Sequence, residues 1–438
     1  MGKTFYKNPD FWISIILLVI IIALMRYYYL AYIGDKTIKE EKMYYFDNNS
    51  TTLIYSEKVK KEINYWLSCG NPSNALHQYG RKSNNAKETA RHQLAKILHV
   101  VPKEIFFTSG ATESNNIIIQ GIVKYHKEQS KSKEEKFRII TSSFEHPSVI
   151  KVCQHYEKTD ERIEVSYVSP VQDKTSKYYN RIDPKDIEII IKKSKEKIIL
   201  MTIMHGNNET GAMQDIEVIG KIAKKNEIFF HTDATQAIGK FKLKPKEWGI
   251  DALSFSGHKF HGPKGIGGLY LKHDCNKILS LCFGGEQERE IRPGTENIAC
   301  ITGMAMALTT AHQDREKKNI ELRKKTAWIE KKLKEKLNIR ILGPDKDHKL
   351  PHTMLTLFKD MGSCNKMFVK ALDKRKICVS VGSACQTKSA GSSHVLDTLD
   401  IDVKDKIKII RISLSDYTTM EECEYLVDNL IELVKEKK

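Results

Sequence analysis

Short apolar segments of β-strand composition alternate with longer amphipathic segments from residue 43 onward. The predicted strands of the first part of the chain are residues 104–108, 137–141, 197–203, 227–231 and 252–255. Segments with helical patterns lie between them, such as 84–98, 113–126 and 215–225. This alternation predicts an α/β fold with a mainly parallel sheet, in which ligands bind beyond the carboxyl ends of the strands. Most of the chemically suggestive residues of the chain follow those predicted ends.

The pattern changes beyond residue 310. A lysine-rich helix is predicted over about residues 311–337, and a last helix over about 419–436. The predicted strands between them are residues 354–358, 377–381 and 407–414. We therefore predict three parts, which are an N-terminal segment 1–42, a large domain 58–310, and a smaller α+β domain formed by 43–57 and 311–438.

Composition excludes several classes of protein. The 438 residues are 40% hydrophobic and 29% charged, which is typical of a globular chain and not of a disordered one. The net charge is +17, but the lysines are scattered at helical spacing and indicate solvated helix faces. We find no nucleic-acid-binding motif and predict no nucleic-acid partner. The nine cysteines show no CxxC pair, so we predict reduced thiols and no metal.

The N-terminus contains one long apolar segment. Residues 11–25 carry no charge, and residues 11–33 are long enough for the roughly 20 residues of a membrane span if Arg26 snorkels. We expect a single-pass anchor there, with a cleaved signal peptide or an organelle-targeting sequence as the alternatives. Basic residues are more frequent after the segment than before it, which favours a topology in which the rest of the chain faces the cytoplasm.

A lysine and a carboxylate each follow a predicted strand. Lys259 comes directly after the segment that ends at Ser256, and Asp233 follows the strand 227–231. Enzymes that use pyridoxal 5'-phosphate (PLP) need an amine that binds the coenzyme covalently and a carboxylate that keeps its pyridine nitrogen protonated. A lone lysine in a glycine-rich turn is more often a surface residue, so this interpretation depends on the other motifs.

Three further segments at predicted strand ends suit the same chemistry. Residues 108–115 open a helix with small residues, which is typical of a phosphate cradle but also of an ordinary helix cap. His146 can stack on a planar group and move protons near neutral pH, although a histidine beside a proline is often a turn residue. Residues 204–211 are rich in amide side chains, which can bind a ring hydroxyl or form turns.

Cys385 lies among small residues in the segment 381–394. A structural cysteine is normally buried in an apolar element, whereas a thiol in such a segment is suited to carry a group into and out of a site.

In this order and spacing, the motifs resemble those of the PLP-dependent cysteine desulfurases of the NifS/IscS type, in the class V aminotransferase superfamily. The resemblance covers residues 43 to about 436. It is carried by residues 45–52, 71–73, 80–81, 108–116, 145–146, 207–209, 231–236, 254–270, 284–295 and 382–385. It implies PLP-dependent fold type I, in which the large domain contains a mainly parallel seven-stranded sheet.

The resemblance also implies a role for each matching residue. Lys259 would bind PLP, Asp233 would pair with its pyridine nitrogen, and His146 would stack on its ring. The other implied coenzyme contacts are Asn208 and Gln236 at the ring oxygen, Ala111, Thr112, Ser256 and His258 at the phosphate, and Thr295 at the phosphate of the neighbouring subunit in a homodimer.

The implied substrate is L-cysteine. Arg411, with Asn48 or Asn49 nearby, would bind its carboxylate. Lys259 would move the proton on its Cα, and the Cys385 thiolate would take its sulfur, which gives L-alanine and a persulfide on Cys385. An acceptor protein, such as an iron–sulfur scaffold, would receive the sulfur for cluster assembly or thio-modification.

Two segments depart from the family pattern. Residues 390–392 are Ala-Gly-Ser where many relatives have a Leu-Glu-Pro-like sequence, and residues 415–417 are Ser-Asp-Tyr in place of Gly-Arg-Phe. The alternatives are another class V enzyme, either an aminotransferase or a selenocysteine lyase, and an inactive membrane-anchored scaffold. Cys385 argues against an aminotransferase, because transamination needs no thiol.

Overall fold

The computed structural model describes residue 13 and residues 17–27, 42–273, 275, 277–381 and 393–436. Its contacts divide the chain into residues 1–43 and residues 44–438. In the second unit the helices are α1 (Glu57–Trp66), α2 (Gln78–Leu98), α3 (Ala111–Gln129), α4 (Pro147–Thr159), α5 (Pro184–Lys193), α6 (Ile216–Lys225), α7 (Ile298–His312), α8 (Arg315–Lys336), α9 (Asn365–Lys374), α10 (His394–Asp397) and α11 (Met420–Glu436).

A seven-stranded sheet forms the centre of this unit. In chain order, the strands of the unit are β1 (Tyr44–Tyr45), β2 (Ile105–Thr108), β3 (Phe137–Ser142), β4 (Ile163–Val168), β5 (Lys197–Thr202), β6 (Phe230–Asp233), β7 (Ala252–Ser256), β8 (Gly267–Leu271), β9 (Ile339–Leu342), β10 (Thr353–Phe358), β11 (Ile377–Cys378) and β12 (Ile409–Ser413). The order in the large sheet is β2-β8-β7-β6-β5-β3-β4, and β8 runs antiparallel to both of its neighbours. The predicted α/β class is therefore confirmed.

The two faces of the large sheet are both buried. Alternate side chains of a strand point to opposite faces, so Phe106, Ile139 and Leu200 pack with α3 and α4, while Phe107 and Ile140 belong to the other apolar cluster. Strands that are buried on both faces have near-continuous apolar sequences, which is why they were recognisable from the sequence. Because β3, β5, β6 and β7 pair in parallel, their carboxyl ends lie at one edge of the sheet.

Two smaller sheets form from the remaining strands. β12, β10 and β9 pair antiparallel in that order, and β1 pairs with β11 in parallel. Bridges join Asp47 to Ser413 and Ser380 to Arg411, so the residues after β1 and β11 both lie along β12. The predicted boundaries of the two domains, 58–310 against 43–57 with 311–438, stay a prediction.

The membrane anchor predicted over residues 11–33 is contradicted. No helix within the described part of the chain is both long and apolar enough to cross a membrane. This finding also contradicts the expectations that depend on the anchor, which are a single-pass topology, a membrane as partner and a domain that faces the cytoplasm.

A buried ion pair holds the segment after β8 against the sheet. Arg91 of α2 contacts both carboxylate oxygens of Glu288 at 2.9 and 2.6 Å, and Glu288 also accepts from the N–H of Phe107 at 2.8 Å. The backbone of Glu288 is left-handed, with φ 47°, and the next two residues are left-handed as well. Non-glycine residues adopt this conformation only when surrounding contacts impose it, and the ion pair is such a contact.

We expect Arg91→Met to lower the free energy of unfolding by about 3–5 kcal/mol, because it leaves the Glu288 carboxylate buried without its cation. Arg91→Met combined with Glu288→Gln should recover part of this loss, since both charges are then removed. Urea denaturation of the coenzyme-free protein measures both effects. Lys221→Ala, which breaks an exposed pair with Glu217, is the control and should cost less than about 1 kcal/mol. Equal losses for Arg91→Met and Lys221→Ala would contradict the role given to the pair.

Candidate active site

A cavity of about 490 Å³ lies at the carboxyl edge of the large sheet. The loops after β3, β5, β6 and β7 line it, together with the start of α3 and part of β12. The predicted site residues that line this cavity are Asn49, Ala111, Thr112, His146, Asn208, Asp233, Gln236, Ser256, His258, Lys259 and Arg411. The structure therefore brings most of the predicted site together at one place.

Lys259 ends a short 3-10 turn that follows β7 directly. Its Nζ donates to the carbonyl oxygens of Asn49 at 2.6 Å and Ser50 at 2.9 Å. Burial, reinforced by the nearby cations Arg411 and Lys240, lowers the pKa of Lys259 to about 7 from its ordinary value of 10.5. The amine is therefore partly neutral near physiological pH, as a nucleophilic lysine must be.

Asp233, at the end of β6, is buried, with 5% of its surface exposed. Its Oδ2 accepts from Asn115 Nδ2 at 2.9 Å, and its Oδ1 accepts from the N–H of Thr235 at 3.0 Å. These two donors fix the direction of the carboxyl group. The loops after adjacent parallel strands β6 and β7 thus place a carboxylate and an amine around the same space.

His146 is the N-cap residue of α4, and Asn115 connects it to Asp233. Asn115 Nδ2 also donates to Ser148 Oγ at 2.9 Å, which lies 2.8 Å from His146 Nδ1. Burial lowers the pKa of His146, opposed by Asp233 and assisted by Lys259. Because the N–H of Ser148 also donates to Nδ1, at 3.2 Å, the neutral ring carries its proton on Nε2.

The first turn of α3 forms another wall of the cavity. Gly110 is the N-cap residue and Ala111 and Thr112 begin the helix, so backbone N–H groups point toward the space. Ser256 and His258 line the cavity with them. Burial, assisted by Lys259, lowers the pKa of His258 to about 4, and His258 Nδ1 lies 3.0 Å from Thr51 Oγ1. This wall offers hydrogen-bond donors to an anion.

Arg411 is almost completely buried, with 1% of its surface exposed. Its Nη1 donates to the Asn208 carbonyl at 2.9 Å, and its Nη2 donates to Asp47 Oδ1 at 2.7 Å and to Ser50 Oγ at 2.6 Å. Nε has no partner within the described residues. These contacts use three of the five N–H groups of the guanidinium, so two remain unpaired within the described residues.

The two asparagines predicted near Arg411 differ in position. Asn49 lines the cavity, its Nδ2 donates to Thr353 Oγ1 at 2.9 Å, and its Oδ1 has no partner among the residues described. Asn48 does not line the cavity, and its Nδ2 donates to the Ser413 carbonyl at 2.9 Å. Asn48 therefore holds the segment after β1 on β12.

Two further predicted residues, Thr295 and Cys385, remain to be placed. Thr295 is exposed and does not line the cavity. Cys385 lies outside the described residues, within 382–392. The described residues on either side are attached near the cavity, because Ser380 pairs with Arg411 through both backbone groups, at 3.1 and 2.7 Å, and Ser393 bonds to Glu209, which lines the cavity, at 2.9 Å.

Asn115 belongs to the predicted segment 108–115, but no role was predicted for it from the sequence. Asn115 lies one helical turn after Ala111, on the same side of α3, and this spacing was the available signal. Glu209 was missed in the same way. Its neighbour Asn208 was assigned, whereas nothing local in the sequence connects Glu209 with Ser393.

The residues around the cavity fit PLP. A lysine with a lowered pKa, a hydrogen-bonded carboxylate, a neutral imidazole and a helix N-terminus are the groups that bind the aldehyde, pyridine nitrogen, ring and phosphate of this coenzyme. Bound there, PLP supplies an electron sink for a negative charge that develops on the substrate. This donor set on an α/β sheet defines a PLP-dependent enzyme.

Comparisons with known proteins agree with this class. The family model "Aminotransferase class-V" matches residues 44–426. The chain is 36% identical to the cysteine desulfurase IscS of Dictyoglomus turgidum over 366 residues, which cover 84% of this chain and 88% of that one. It is 34% identical to the human cysteine desulfurase over 374 residues, which cover 85% and 77% of the two chains.

Solved structures give the same result. A structure described as a NifS-like protein superposes with a TM-score of 0.79 at 32% identity, and the match covers 90% of this chain and 100% of that one. A structure described as SspA in complex with cysteine has a TM-score of 0.70 at 32% identity, with 86% and 99% covered. The chain belongs to the class V aminotransferase family and, within it, to the PLP-dependent cysteine desulfurases of the NifS/IscS type.

The lowered pKa of Lys259 predicts how its reactivity depends on pH. In the folded, coenzyme-free protein, acetylation of Lys259 should rise to half its maximal rate near pH 7, because only the neutral amine reacts. Peptide mass spectrometry after brief treatment at each pH measures this rate. In the urea-unfolded chain, the same lysine should reach half its maximal rate only near its ordinary pKa of 10.5. Identical profiles for the two states would contradict the desolvated amine.

Proposed function

We propose that this enzyme converts L-cysteine to L-alanine and transfers the sulfur to Cys385 as a persulfide. One observation carries the proposal. Lys259, Asp233 and His146 line a cavity whose other residues Arg411 and Glu209 bond to the residues that flank the segment 382–392. The groups for carbon chemistry and both ends of the segment that contains Cys385 are therefore attached around one space.

The coenzyme contacts follow from the walls of the cavity. Asp233 would hold the pyridine nitrogen, and His146 would lie against the ring. Asn208 and Gln236 would contact the ring oxygen, and Gln236 is positioned for this by its bond to the Asn49 carbonyl at 3.0 Å. The phosphate would bind at Ala111, Thr112, Ser256 and His258, with Thr295 of the neighbouring subunit in a homodimer.

Arg411 and Asn49 would bind the substrate. The Nε–H of Arg411 and the Oδ1 of Asn49 are a buried donor and a buried acceptor without partners within the described residues, and both side chains belong to the lining of the cavity. The first suits a carboxylate and the second suits an ammonium group, and a free amino acid carries both. A related structure described as containing cysteine supports this class of substrate.

Lys259 and Cys385 would act in sequence. Lys259, whose pKa of about 7 lets it hold or release a proton near neutral pH, would remove the proton on the substrate Cα and later return a proton. The thiolate of Cys385 would attack the substrate sulfur, so that a sulfur–sulfur bond forms as the carbon–sulfur bond breaks. The persulfide sulfur would then pass to an acceptor protein for iron–sulfur assembly or thio-modification.

We expect Cys385→Ala to abolish the formation of alanine from cysteine while the coenzyme remains bound. Lys259→Ala should lose both the alanine and the coenzyme's visible absorbance, because it removes the covalent attachment. Alanine is measured by chromatography and the persulfide by mass spectrometry of the intact chain. Cys69→Ser, which changes an exposed cysteine outside the cavity, is the control and should keep the activity.

Undiminished alanine formation by Cys385→Ala would contradict the persulfide mechanism. The same variant also tests the alternative of a selenocysteine lyase. If the enzyme is a selenocysteine lyase, it should release selenide from selenocysteine faster than it releases sulfide from cysteine. This preference should hold both for the wild type and for Cys385→Ala.

Mixed dimers test the proposed role of Thr295. Neither Lys259→Ala nor Thr295→Val homodimers should bind PLP with normal affinity. A dimer with one subunit of each variant should recover one normal site, because the intact Lys259 of one subunit then meets the intact Thr295 of the other. Differently tagged subunits allow its purification, and coenzyme titration gives the number of sites. Failure to recover a site would contradict a phosphate contact across the dimer.

A further inference from the structure

Ser393 is the first described residue after the segment that contains Cys385, and it is held from two directions. It is buried, with 5% of its surface exposed, and its Oγ donates to Glu209 Oε1 at 2.9 Å. The same Oγ accepts from the N–H of Val395 at 3.2 Å as the N-cap of α10. A hydroxyl that donates once and accepts once in this way has a single orientation.

Glu209 is equally constrained. Only 2% of its surface is exposed, its carboxyl lies beside the cavity, and Oε2 has no partner within the residues described. Its backbone N–H donates to Asn207 Oδ1 at 2.8 Å, and Asn207 Nδ2 in turn donates to the Phe144 carbonyl at 2.9 Å. The loop after β5 that carries this carboxyl is therefore hydrogen-bonded to the loop after β3.

A second contact attaches the same part of the chain beside His146. His394 Nε2 lies 2.8 Å from the carbonyl oxygen of Glu145, the residue that precedes His146. Val395 and Leu396, which follow, are buried. The chain after residue 392 is thus connected to the loop after β5 through Ser393 and to the loop after β3 through His394.

We propose that Glu209 and Ser393 are positioning residues for sulfur transfer, because their buried hydrogen bond anchors the C-terminal end of the segment that bears Cys385 to the wall of the coenzyme cavity. The inference rests on the proposed function, since it takes Cys385 as the sulfur acceptor. Neither residue exchanges a proton or sulfur with the substrate. They act by limiting where the thiol can be, and misplacing a reacting group by about 1 Å can cost roughly 100-fold in rate.

The two halves of the reaction separate this role from general damage. Removal of the proton on the substrate Cα depends on Lys259 and needs no thiol. Exchange of that proton with deuterated water therefore reports on coenzyme, substrate binding and Lys259. Formation of the persulfide depends in addition on Cys385. Loss of the anchor should slow the second measurement and leave the first close to the wild-type value.

The experiment uses the coenzyme-loaded enzyme in single-turnover reactions with deuterated water. Glu209→Ala and Ser393→Ala should each slow persulfide formation by about 10- to 100-fold, with much smaller changes in Cα exchange. Glu209→Gln and Ser393→Thr should recover most of the rate, because each keeps its half of the hydrogen bond. The double alanine variant should be no slower than the slower single variant, since one interaction is lost in all three.

Two controls isolate the hydrogen bond from helix capping. Ser393→Asp keeps a capping oxygen but replaces the donor by a carboxylate that faces Glu209, so it should be as slow as Ser393→Ala. Asp183→Ala removes the N-cap of α5, whose side chain accepts from the N–H of Lys185, and should leave both measurements unchanged. Glu209→Ala leaves the cap of α10 intact and carries the test if Ser393 variants fold poorly.

Three results would contradict the anchoring role of the hydrogen bond. The first is an equal loss of Cα exchange and persulfide formation in Glu209→Ala, and the second is a normal rate of persulfide formation in that variant. The third is a double alanine variant whose rate of persulfide formation falls by the product of the two single-variant factors. A wild-type enzyme that exchanges the Cα proton but forms no persulfide on Cys385 would instead refute the proposed function itself.

Discussion

The segment Asp47–Thr52 connects the small sheets to the coenzyme cavity, and the site depends on its hydrogen bonds. Asp47 pairs with Ser413 of β12, while the carbonyl groups of Asn49 and Ser50 accept from Lys259 Nζ at 2.6 and 2.9 Å. Thr52 then binds the backbone carbonyl of His258 at 2.9 Å. Lys259 is thereby held at the point where residues distant in sequence meet, since more than 200 residues separate it from its two acceptors.

This arrangement also determines the charge of the site. Burial and the nearby cations lower the pKa of Lys259, while Asp233 and Asp47 oppose this shift. Asp47 bonds to Arg411 at 2.7 Å, so one carboxylate neutralises the guanidinium that would otherwise depress the amine further. The cavity consequently contains one guanidinium that stays charged and one amine that can lose its proton near neutrality. The first suits recognition of a carboxylate, and the second suits covalent chemistry.

Most of the fold could be predicted because the relevant signals are local. Strands buried on both faces have continuous apolar sequences, and polar residues at their ends meet wherever the strands are parallel. The missed features are long-range or subtle. β1, β4, β8 and β9 were not predicted. β6 begins only at Phe230, because Glu227, at the end of the preceding turn, has a left-handed backbone with φ 55°.

The limits of the site prediction have the same origin. The role of Asn115 could have been predicted from helical spacing, because it lies one turn after Ala111. The contact of Ser393 with Glu209 could not, because 184 residues separate the two partners. The membrane anchor was wrong for another reason. It was predicted from apolar composition alone, and no helix within the described part of the chain is both long and apolar enough to cross a membrane.

The other cysteines strengthen the case for Cys385 as the sulfur acceptor. None of the cysteines among the described residues lines the coenzyme cavity. Burial raises the pKa of Cys153 to about 12 and that of Cys423 to about 11, so these thiols resist the ionisation that nucleophilic attack requires. Cys69 and Cys282 are exposed but lie elsewhere on the chain. By contrast, the described residues that flank the segment 382–392 are hydrogen-bonded to cavity-lining residues, which supports the proposal that Cys385 is the sulfur acceptor.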